Sequence, residues 1–303
     1  MKGYKGFAPG LVCRGKQYSE NTVFEEERAV ICHSGMHFCQ NPFDVLDHYD
    51  LVREDGSFND FAEVEALADT KTDDNKKFCT AKLKVGAKLS FAGFVKACVE
   101  FALEKTVKDM PDSDVDSGYY AQIGSSGNSA QIGSSGYYAQ IGSSGNYAKI
   151  GSSGHYAQIG SSGNYAQIGS SGNSAKIGSS GDYAKIGSSG NSAQIGSSGY
   201  YAKIGSSGDY AKIGSSGNSA KIGSSGHYAQ IGSSGHDSVI CCAGHDSIVK
   251  AKKGCWITLS EWKYDNKKDR YVPVFVKTEF VDGEKIKEDV FYKLVNGEFV
   301  EVK

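Results

Sequence analysis

The sequence predicts a mainly β protein with a central parallel β-solenoid, and three observations support this fold class. The nonapeptide Gly-x-(Tyr/Ser)-Ala-(Gln/Lys)-Ile-Gly-Ser-Ser occurs thirteen times in succession between residues 118 and 234. Within each unit, Tyr-Ala-Gln-Ile alternates between two faces with the period of a β-strand. The flanking sequences have the irregular patterns of globular domains. We expect an α+β domain at 1–117, the solenoid at 118–252 and a small β module at 253–303.

The N-terminal domain contains recognisable strand and helix patterns. The segments "FAEVEAL" (61–67) and "KKFCTAKLKVG" (76–86) alternate like strands. In "SFAGFVKACVEFALEK" (90–105) the apolar residues recur at helical spacing, and Ser90 stands where an N-cap is expected. The segment "NPFDVLDHYD" (41–50) predicts a short helix with proline in its first turn. These elements predict an α+β domain of ordinary size.

The repeat predicts stacked coils instead of a flexible Gly/Ser linker. It follows an acidic stretch, "KDMPDSDVDS" (108–117), which we interpret as a linker into the first coil. Ala and Ile keep a fixed phase through all thirteen units, and a random coil would not require this. Stacking buries the Ala and Ile columns between two thin sheets and pairs the backbone groups of successive coils. Two units per coil, 18 residues, is the preferred geometry and three units is the alternative. Gly-Ser-Ser-Gly is expected to form the turn, with Gly at positive φ.

Two degenerate units, "GHDSVICCA" and "GHDSIVKAK", continue the nine-residue phase after the last regular one. An open solenoid end is an unpaired sheet edge, so we expect the flanking domains to cap both ends. In the module at 253–303, Asn296-Gly297 between alternating apolar residues predicts a type I′ hairpin. Trp256 and Trp262 are expected to seal the last coil.

The outward columns of the solenoid are the candidate partner surface. Aligned rings and amides stabilise stacking, and the same ladders could bind sugar rings or a protein. Asp occurs in the regular units only at Asp182 and Asp209, away from any regular turn position, so a metal-free roll is expected instead of the calcium-binding one. The tyrosines of this surface are Tyr120, Tyr138, Tyr147, Tyr156, Tyr165, Tyr183, Tyr201, Tyr210 and Tyr228.

A group of thiols and an imidazole in the N-terminal domain is a candidate metal site. Three thiolates and one histidine suit zinc. The spacing C-x6-C differs from the tight C-x2-C knuckle, and buried structural thiols are the alternative interpretation. The candidate ligands are Cys13, Cys32, His37 and Cys39.

The order of elements in this domain resembles the layout of mono-ADP-ribosyltransferases of the diphtheria-toxin type. "YKGF" stands near the start, "GMHF" ends a strand, a helix closes at His48-Tyr49, and the strand "FAEVEAL" follows. The resemblance implies that His37 and Tyr49 line an NAD pocket and that Glu63 or Glu65 supplies the acid. The catalytic glutamate of that family comes later in the chain, so these four residues are candidates and no catalytic residue is assigned.

The same segments resemble an uncharacterised group of phage and prophage proteins from gut bacteria. "YKGFAPGLVCRGKQY", "CHSGMHFCQNPFDVLDHY" and "FAEVEALA" are similar to its N-terminal module. Tandem Gly/Ser/Ala/Tyr repeats and a closing "GCW…LSEW" segment follow in that group as they do here. The resemblance covers all three parts of the chain and implies a phage-related origin and this architecture, but no particular activity.

Charge and cysteine usage narrow the class of partner. Residues 1–117 carry 15 basic against 21 acidic side chains, the repeat carries six against two, and residues 235–303 carry 12 of each. No segment is basic enough for a nucleic-acid footprint. No signal peptide or membrane-spanning stretch is visible, so the eight cysteines are expected to be reduced thiols.

These observations favour a phage-related, non-enzymatic binding or scaffolding protein that uses the solenoid as spacer and interaction surface. The expected partner is a protein or a glycan, with no nucleic acid, membrane, metal or cofactor involved, and oligomers are possible. The expected location is the cytoplasm of the infected bacterial host or the virion. The alternative is an ADP-ribosyltransferase-like or nucleotide-binding N-terminal domain carried on a solenoid handle.

Overall fold

The computed structural model describes residues 1–31, 33–105, 113–116 and 118–302, with the backbone alone for 113–116. It is mainly β, with 46% strand and 7% helix, and its centre is a parallel β-solenoid of about eight turns over residues 122–259. The predicted fold class is therefore confirmed.

An antiparallel sheet of seven strands forms the N-terminal domain, in the order β4-β9-β6-β1-β5-β8-β7. The caps of both helices follow from the sequence. The Asn41 side chain accepts the Phe43 amide at 3.0 Å, and Ser90 Oγ accepts the Gly93 amide at 3.1 Å. The elements are β1 (Lys2–Phe7), β2 (Val12–Cys13), β3 (Lys16–Gln17), β4 (Thr22–Glu25), β5 (Met36–Cys39), α1 (Pro42–Val45), β6 (Asp60–Ala66), β7 (Thr70–Lys71), β8 (Lys77–Thr80), β9 (Lys82–Leu89) and α2 (Phe91–Lys105).

The solenoid consists of two parallel sheets in which each residue pairs with the residue 18 positions later, as two units per coil predict. The even-numbered strands form one sheet, called the open sheet below, and the odd-numbered strands form the other, called the covered sheet. The strands are β10 (Ser113–Asp116), β11 (Gln122–Ser125), β12 (Gln131–Ser134), β13 (Gln140–Ser143), β14 (Lys149–Ser152), β15 (Gln158–Ser161), β16 (Gln167–Ser170), β17 (Lys176–Ser179), β18 (Lys185–Ser188), β19 (Gln194–Ser197), β20 (Lys203–Ser206), β21 (Lys212–Ser215), β22 (Lys221–Ser224), β23 (Gln230–Ser233), β24 (Val239–Cys242), β25 (Ile248–Lys250) and β26 (Trp256–Asp265).

The strand of each unit lies further along the repeat than predicted. It is Gln/Lys-Ile-Gly-Ser, with Ala, Ile and the first Ser pointing inward, so the predicted inward Ala and Ile columns are confirmed. The predicted strand position of Tyr or Ser is wrong, because that residue occupies the corner before the strand at φ near +57°, as at Tyr165 (φ 58°). The predicted positive φ of Gly is also wrong for the regular repeat. A Cβ at Gly145 would lie 1.9 Å from the carbonyl oxygen of Gly127, so the corner glycine is required for coil stacking.

The C-terminal strands close the solenoid. β27 (Arg270–Phe280) extends the open sheet antiparallel to β26, and β28 (Tyr292–Val295) with β29 (Glu298–Glu301) extends the covered sheet. Asn296 and Gly297 both have positive φ (50° and 75°), as in the predicted hairpin turn.

The expected sealing role is wrong for Trp256, whereas Trp262 is half-buried and packs against the last coils. Trp256 lies at an outward position of β26 and is 48% exposed, while Trp262 donates to the Ala243 carbonyl at 2.9 Å. The buried residues that close the core at this end are Leu259, Val281, Ile286, Tyr292 and Leu294.

The N-terminal domain lies along the side of the solenoid, so its expected position as an end cap is wrong. Helix α2 lies between two sheets. On one face of the helix, the Phe94 ring stacks on Phe61 of the N-terminal sheet, with 3.8 Å between the ring centroids. The opposite face of the helix packs on the glycines of the covered sheet. A Cβ added at Gly142 would lie 2.6 Å from the Cβ of Ala102. The glycines and the α2 residues nearest to them are Gly124 with Ala102 and Leu103, Gly142 with Ala102 and Val99, Gly160 with Cys98 and Val99, Gly178 with Val95, and Gly196 with Phe91.

Carboxylates of the N-terminal domain contact the outward Gln/Lys column of the covered sheet. Asp44 accepts from Gln140 at 3.1 Å, and Asp47 accepts from Gln158 at 3.0 Å. Further along, Asp50 accepts from Gln194 Nε2 at 2.8 Å, and Gln194 Oε1 accepts the Leu51 amide at 2.9 Å. At the far end, Lys250, which stands in register with the glycine column, has its Nζ 3.8 Å from Asp55. The domain therefore extends along most of the covered sheet and leaves the open sheet uncovered.

Candidate functional site

A pocket of about 660 Å³ in the N-terminal domain brings several candidate residues together. His37 projects from β5, Tyr49 follows α1, and both line this pocket. Cys13 and Cys39 line it as well. The two acid candidates do not.

Glu63 and Glu65 lie on β6 and line a separate hollow of about 790 Å³ beside the first coils. The arrangement therefore supplies an imidazole and a phenol to one pocket, without either candidate glutamate.

Close contacts organise the wall of the pocket. Tyr49 Oη donates to Cys13 Sγ at 2.9 Å, which joins the strand β2 to the turn after α1. Lys5 is only 5% exposed, and its Nζ donates to the His37 carbonyl oxygen at 2.8 Å. The same ammonium lies 5.7 Å from the centre of the Tyr18 ring. A buried amine and two aromatic rings thus surround the pocket, and sequence reasoning did not identify Lys5 because it stands in an ordinary strand pattern.

The protonation states of the pocket suit binding better than acid–base chemistry at neutral pH. Burial, with the charges of Lys5 and Arg14, lowers the pKa of His37 to about 4. Burial, with the nearby Asp44 carboxylate, raises the pKa of the Cys39 thiol to about 12. Burial and the hydrogen bond with Cys13 also raise the pKa of Tyr49. At pH 7 the thiol and the phenol are protonated, and the neutral imidazole, with a pKa well below 7, is only a weak base.

The candidate zinc ligands share the pocket only in part. Cys13, His37 and Cys39 line it, whereas Cys32 lies outside the described residues. Within 1–31, 33–105 and 118–302, no three His, Cys, Asp or Glu side chains are close enough to hold a metal ion. The seven described cysteines are free thiols.

The tyrosine column of the sequence forms ladders on both edges of the solenoid. The longest continuous ladder has four rings stacked at centroid distances of 5.0, 4.9 and 5.0 Å, and each ring is between 43% and 56% exposed. Its members are Tyr147, Tyr165, Tyr183 and Tyr201. On the other edge, Ser174 and Ser192 interrupt the column. They separate the stack of Tyr120, Tyr138 and Tyr156 from the pair Tyr210 and Tyr228.

Each corner is stabilised from the next coil. The amide of Tyr147 donates to the Asn164 carbonyl at 2.9 Å, and similar bonds recur along both edges. The variable second residue of the unit also has a structural role, since Asp182 Oδ1 accepts the amide of Tyr200 at 2.8 Å. This contact explains why Asp, Asn and His exchange at that position, because each offers an acceptor.

The sequence predicted the outward Gln/Lys column but did not distinguish the open sheet from the covered sheet. The outward residues of the open sheet form a shallow trough of about 950 Å³, with a floor of glycines and a border of Lys and Gln side chains. The bordering residues are Gln131, Lys149, Gln167, Lys185, Lys203 and Lys221. Reading the repeat at a period of 18 residues would have separated these side chains from those of the covered sheet.

Comparisons with known proteins identify one part of the chain. Among the helices of the described ranges, none has the length and apolar character needed to cross a membrane. No curated protein and no solved structure matches the chain. Residues 1–97 match the model of a domain of unknown function, DUF7666, which covers the N-terminal sheet, α1 and the first half of α2.

Proposed function

We propose that the protein is a phage- or prophage-related, non-enzymatic binding or scaffolding protein whose rigid solenoid holds a regular interaction surface. The observation that carries this proposal is the uninterrupted ladder of Tyr147, Tyr165, Tyr183 and Tyr201 on one edge. Every corner of that edge is fixed by backbone hydrogen bonds to the next coil, so the rings keep a constant spacing. Tyrosine supplies a large contact area with few rotatable bonds and is enriched in protein interfaces.

The geometry of the ladder favours a protein partner over a stacked sugar. The rings stack on one another at about 5 Å, so neighbouring rings occupy their faces. What remains exposed is a row of ring edges and hydroxyls. A sugar ring can stack on a free face only at the ends, on Tyr147 or Tyr201. A protein surface can instead accept hydrogen bonds from the hydroxyls and pack against the edges along the whole row.

The phage association is supported by the motifs of the N-terminal and C-terminal segments and by the tandem repeats between them. The protein would act inside the infected bacterial cell or in the virion. The seven described free thiols fit a reducing compartment.

Substitution of the ladder tests the proposal. Asn tolerates positive φ, so replacing the four ladder tyrosines with Asn removes the rings and spares the corner conformation. The immobilised full chain is exposed to bacterial lysate and to chitin and cellulose oligosaccharides. We expect the wild-type chain to retain a protein from the lysate. The quadruple variant, with all four ladder tyrosines replaced by Asn, should bind that protein at least about tenfold more weakly, or ~1.4 kcal/mol.

The variant Tyr210→Asn with Tyr228→Asn, on the opposite edge, is the matched control. It is expected to retain the partner nearly as well as the wild type. Equal retention by the wild type and the quadruple variant would contradict the proposal that the ladder binds the partner.

A second candidate function rests on the pocket of the N-terminal domain. His37 and Tyr49 line one cavity with Lys5 and Arg14, so an anionic ligand with an aromatic ring, such as a nucleotide, suits its charge and shape. Incubation with labelled NAD and host lysate tests this function. Turnover or label transfer that is lost in His37→Ala would establish an enzyme, and binding that is lost in Arg14→Gln without turnover would establish a nucleotide-binding domain.

A further inference from the structure

We propose that the open sheet is the docking site of an acidic amphipathic α-helix from a partner protein. This inference rests on the proposed binding function and adds a second surface to it, distinct from the tyrosine ladder. The surface is the glycine floor of β14 to β22 with the lysines beside it.

The chain itself contains the precedent for a helix in such a trough. On the covered sheet, α2 places about one turn over each coil: Val99, Val95 and Phe91 lie over Gly160, Gly178 and Gly196, respectively. Helical turns repeat every ~5.4 Å and neighbouring strands every ~4.8 Å, so side chains at i, i+4 and i+8 stay aligned with successive glycines. Only glycine allows this approach, since a Cβ at Gly196 would lie 2.6 Å from the Phe91 ring.

The open sheet repeats the same floor, and no residue of the described ranges lies over its central glycines. A Cβ added at Gly151, Gly169, Gly187 or Gly205 would meet no atom within 4 Å. Glycine in a strand weakens it, because it adds backbone entropy to the unfolded chain and offers no side chain to pack. The corner glycines have a stacking role inside the solenoid, whereas these four have none. A helix seated on the open sheet would use them as α2 uses their counterparts.

The column beside the floor indicates the charge of the helix. On the covered sheet, the same column is contacted by the carboxylates of Asp44, Asp47 and Asp50. On the open sheet, Lys149, Lys185, Lys203 and Lys221 are exposed, and no carboxylate of the described residues lies within 4 Å of them. Charge complementarity therefore favours a helix with aliphatic or small residues on one side and Asp or Glu along its flank.

A second copy of this chain is a poor occupant. Its α2 is already buried between the N-terminal sheet and the covered sheet. Two open sheets placed face to face would oppose lysine columns of the same sign, which is repulsive. A polyanion without an apolar side would contact the lysines but would not require the glycines. A polyanion and an amphipathic helix can therefore be distinguished by whether binding depends on the glycines as well as on the lysines.

The probe is a fluorescein-labelled, side-chain-stapled helical peptide of 16 residues that copies the α2 positions Phe91, Val95, Val99 and Ala102 and carries glutamate along one flank. Fluorescence anisotropy measures its binding to the full chain. We expect Lys185→Glu with Lys203→Glu, and separately Gly169→Val with Gly187→Val, to weaken binding at least about tenfold. The control Lys267→Glu with Lys268→Glu, which makes the same charge change in the turn after β26, should leave affinity unchanged at moderate salt.

One further arm decides between occupants. A peptide of the same composition, scrambled so that apolar residues surround the helix, should bind at least about tenfold more weakly. Equal binding of the scrambled peptide, or no effect of the glycine variant, would reduce the surface to a polyanion site and overturn the proposal, as would no binding of the amphipathic peptide. The lysine variant keeps the test valid if the valine variant fails to fold.

The ladder variant separates this inference from the proposed function. Peptide binding should persist when the four ladder tyrosines are Asn, because they lie on the edge and not on the open sheet. If the peptide fails to bind while retention still depends on the ladder, the docking proposal alone is wrong. If ladder dependence is absent while the peptide binds, the ladder proposal alone is wrong.

Discussion

The contact between α2 and the covered sheet can be tested by one substitution made on both faces of the solenoid. Gly142 and Gly151 occupy the same position in neighbouring units, and both are followed by Ser-Ser-Gly. Replacing either with Ala adds one methyl group to the outward face of a strand. Only Gly142 lies beneath α2, so the two variants separate the helix contact from the intrinsic effect of Ala in a strand.

The expected difference follows from the distances. A Cβ at Gly142 would lie 2.6 Å from the Cβ of Ala102 and 3.0 Å from the Cα of Val99. Carbon atoms pack best at roughly 3.5–4.0 Å, so the helix must withdraw by about 1 Å. Overpacking of this kind costs about 1–3 kcal/mol. Gly151→Ala meets nothing and should stabilise the protein by about 0.4–1 kcal/mol through the unfolded chain. The unfolded-chain effect is common to both variants, so they should differ by about 1–3 kcal/mol, which is the cost of the helix contact.

Urea unfolding of the full chain gives the free energies, and hydrogen exchange locates the effect. Amides of α2 should lose protection in Gly142→Ala and keep it in Gly151→Ala. Adding Ala102→Gly to Gly142→Ala removes the closest atom, so the double variant should show a favourable coupling of about 1 kcal/mol or more. Equal stability of the two single variants within about 0.5 kcal/mol would refute the close packing of α2 on this column.

Three further predictions concern the core, the domain contact and pH. Ile195→Ala should lower the unfolding free energy by about 2–5 kcal/mol. Ser197→Ala, on the same inward face, should leave the free energy of unfolding unchanged or raise it, because no described group forms a hydrogen bond with its buried hydroxyl. Similar losses of unfolding free energy for Ile195→Ala and Ser197→Ala in urea would contradict this. Gln194→Ala should lower the free energy of unfolding by about 1–2 kcal/mol, because it removes the hydrogen-bond partner of Leu51 and Asp50. Gln167→Ala on the open sheet should change the free energy of unfolding little. A larger loss for Gln167→Ala than for Gln194→Ala would contradict the contact. Since the pKa of His37 is lowered to about 4 from its usual 6.5, the unfolded chain binds the proton first as pH falls. The contribution of this group to the free energy of unfolding is complete above pH 6.5 and declines as the pH falls toward 4. The variant His37→Gln should flatten that decline. An imidazole that titrates near pH 6.5 by NMR would contradict the burial of His37.

The solenoid could be predicted because Ala and Ile, which form the inward columns, recur at the same two positions in all thirteen units. Ala and Ile in a fixed phase leave no other way to bury an apolar face that short, and pairing of each residue with the residue 18 positions later follows from two such faces. The short helix at Pro42, the N-cap at Ser90 and the Asn296-Gly297 turn were predictable for a similar reason. Each depends on contacts within a few residues of the chain.

The errors arise where distant contacts decide the structure. Tyrosine at positive φ contradicts its intrinsic preference, and it is tolerated because the ring stacks on the next coil and the amide bonds to it. Trp256 was expected inside for its size, but its alternation with Ile257 already placed it outward. The side-on position of the N-terminal domain depends on carboxylates more than 90 residues from the glutamines that they contact, such as Asp44 and Gln140.

Within the four-residue strands, the two sheets differ only at the Gln/Lys position, and this difference shows how one nonapeptide produces two unequal faces. Every second unit belongs to the same sheet, so the Gln/Lys column must be read at a period of 18 residues. The covered sheet has Gln122, Gln140, Gln158, Lys176, Gln194, Lys212 and Gln230, and the open sheet has Gln131, Lys149, Gln167, Lys185, Lys203 and Lys221.

Desolvation explains this distribution. A side-chain amide that another domain partly covers can donate to a carboxylate and also accept a hydrogen bond from a backbone amide, as Gln194 does. A buried ammonium costs more and requires a partner for its charge or protons, and burial accordingly lowers the pKa of Lys176, which donates to the Leu46 carbonyl. Lysine on the open sheet keeps its hydration, because the side chains at Lys149, Lys185, Lys203 and Lys221 are exposed. The open sheet is therefore a more cationic version of the covered one, and we expect its occupant to be more acidic than residues 41–55, which bind the covered column.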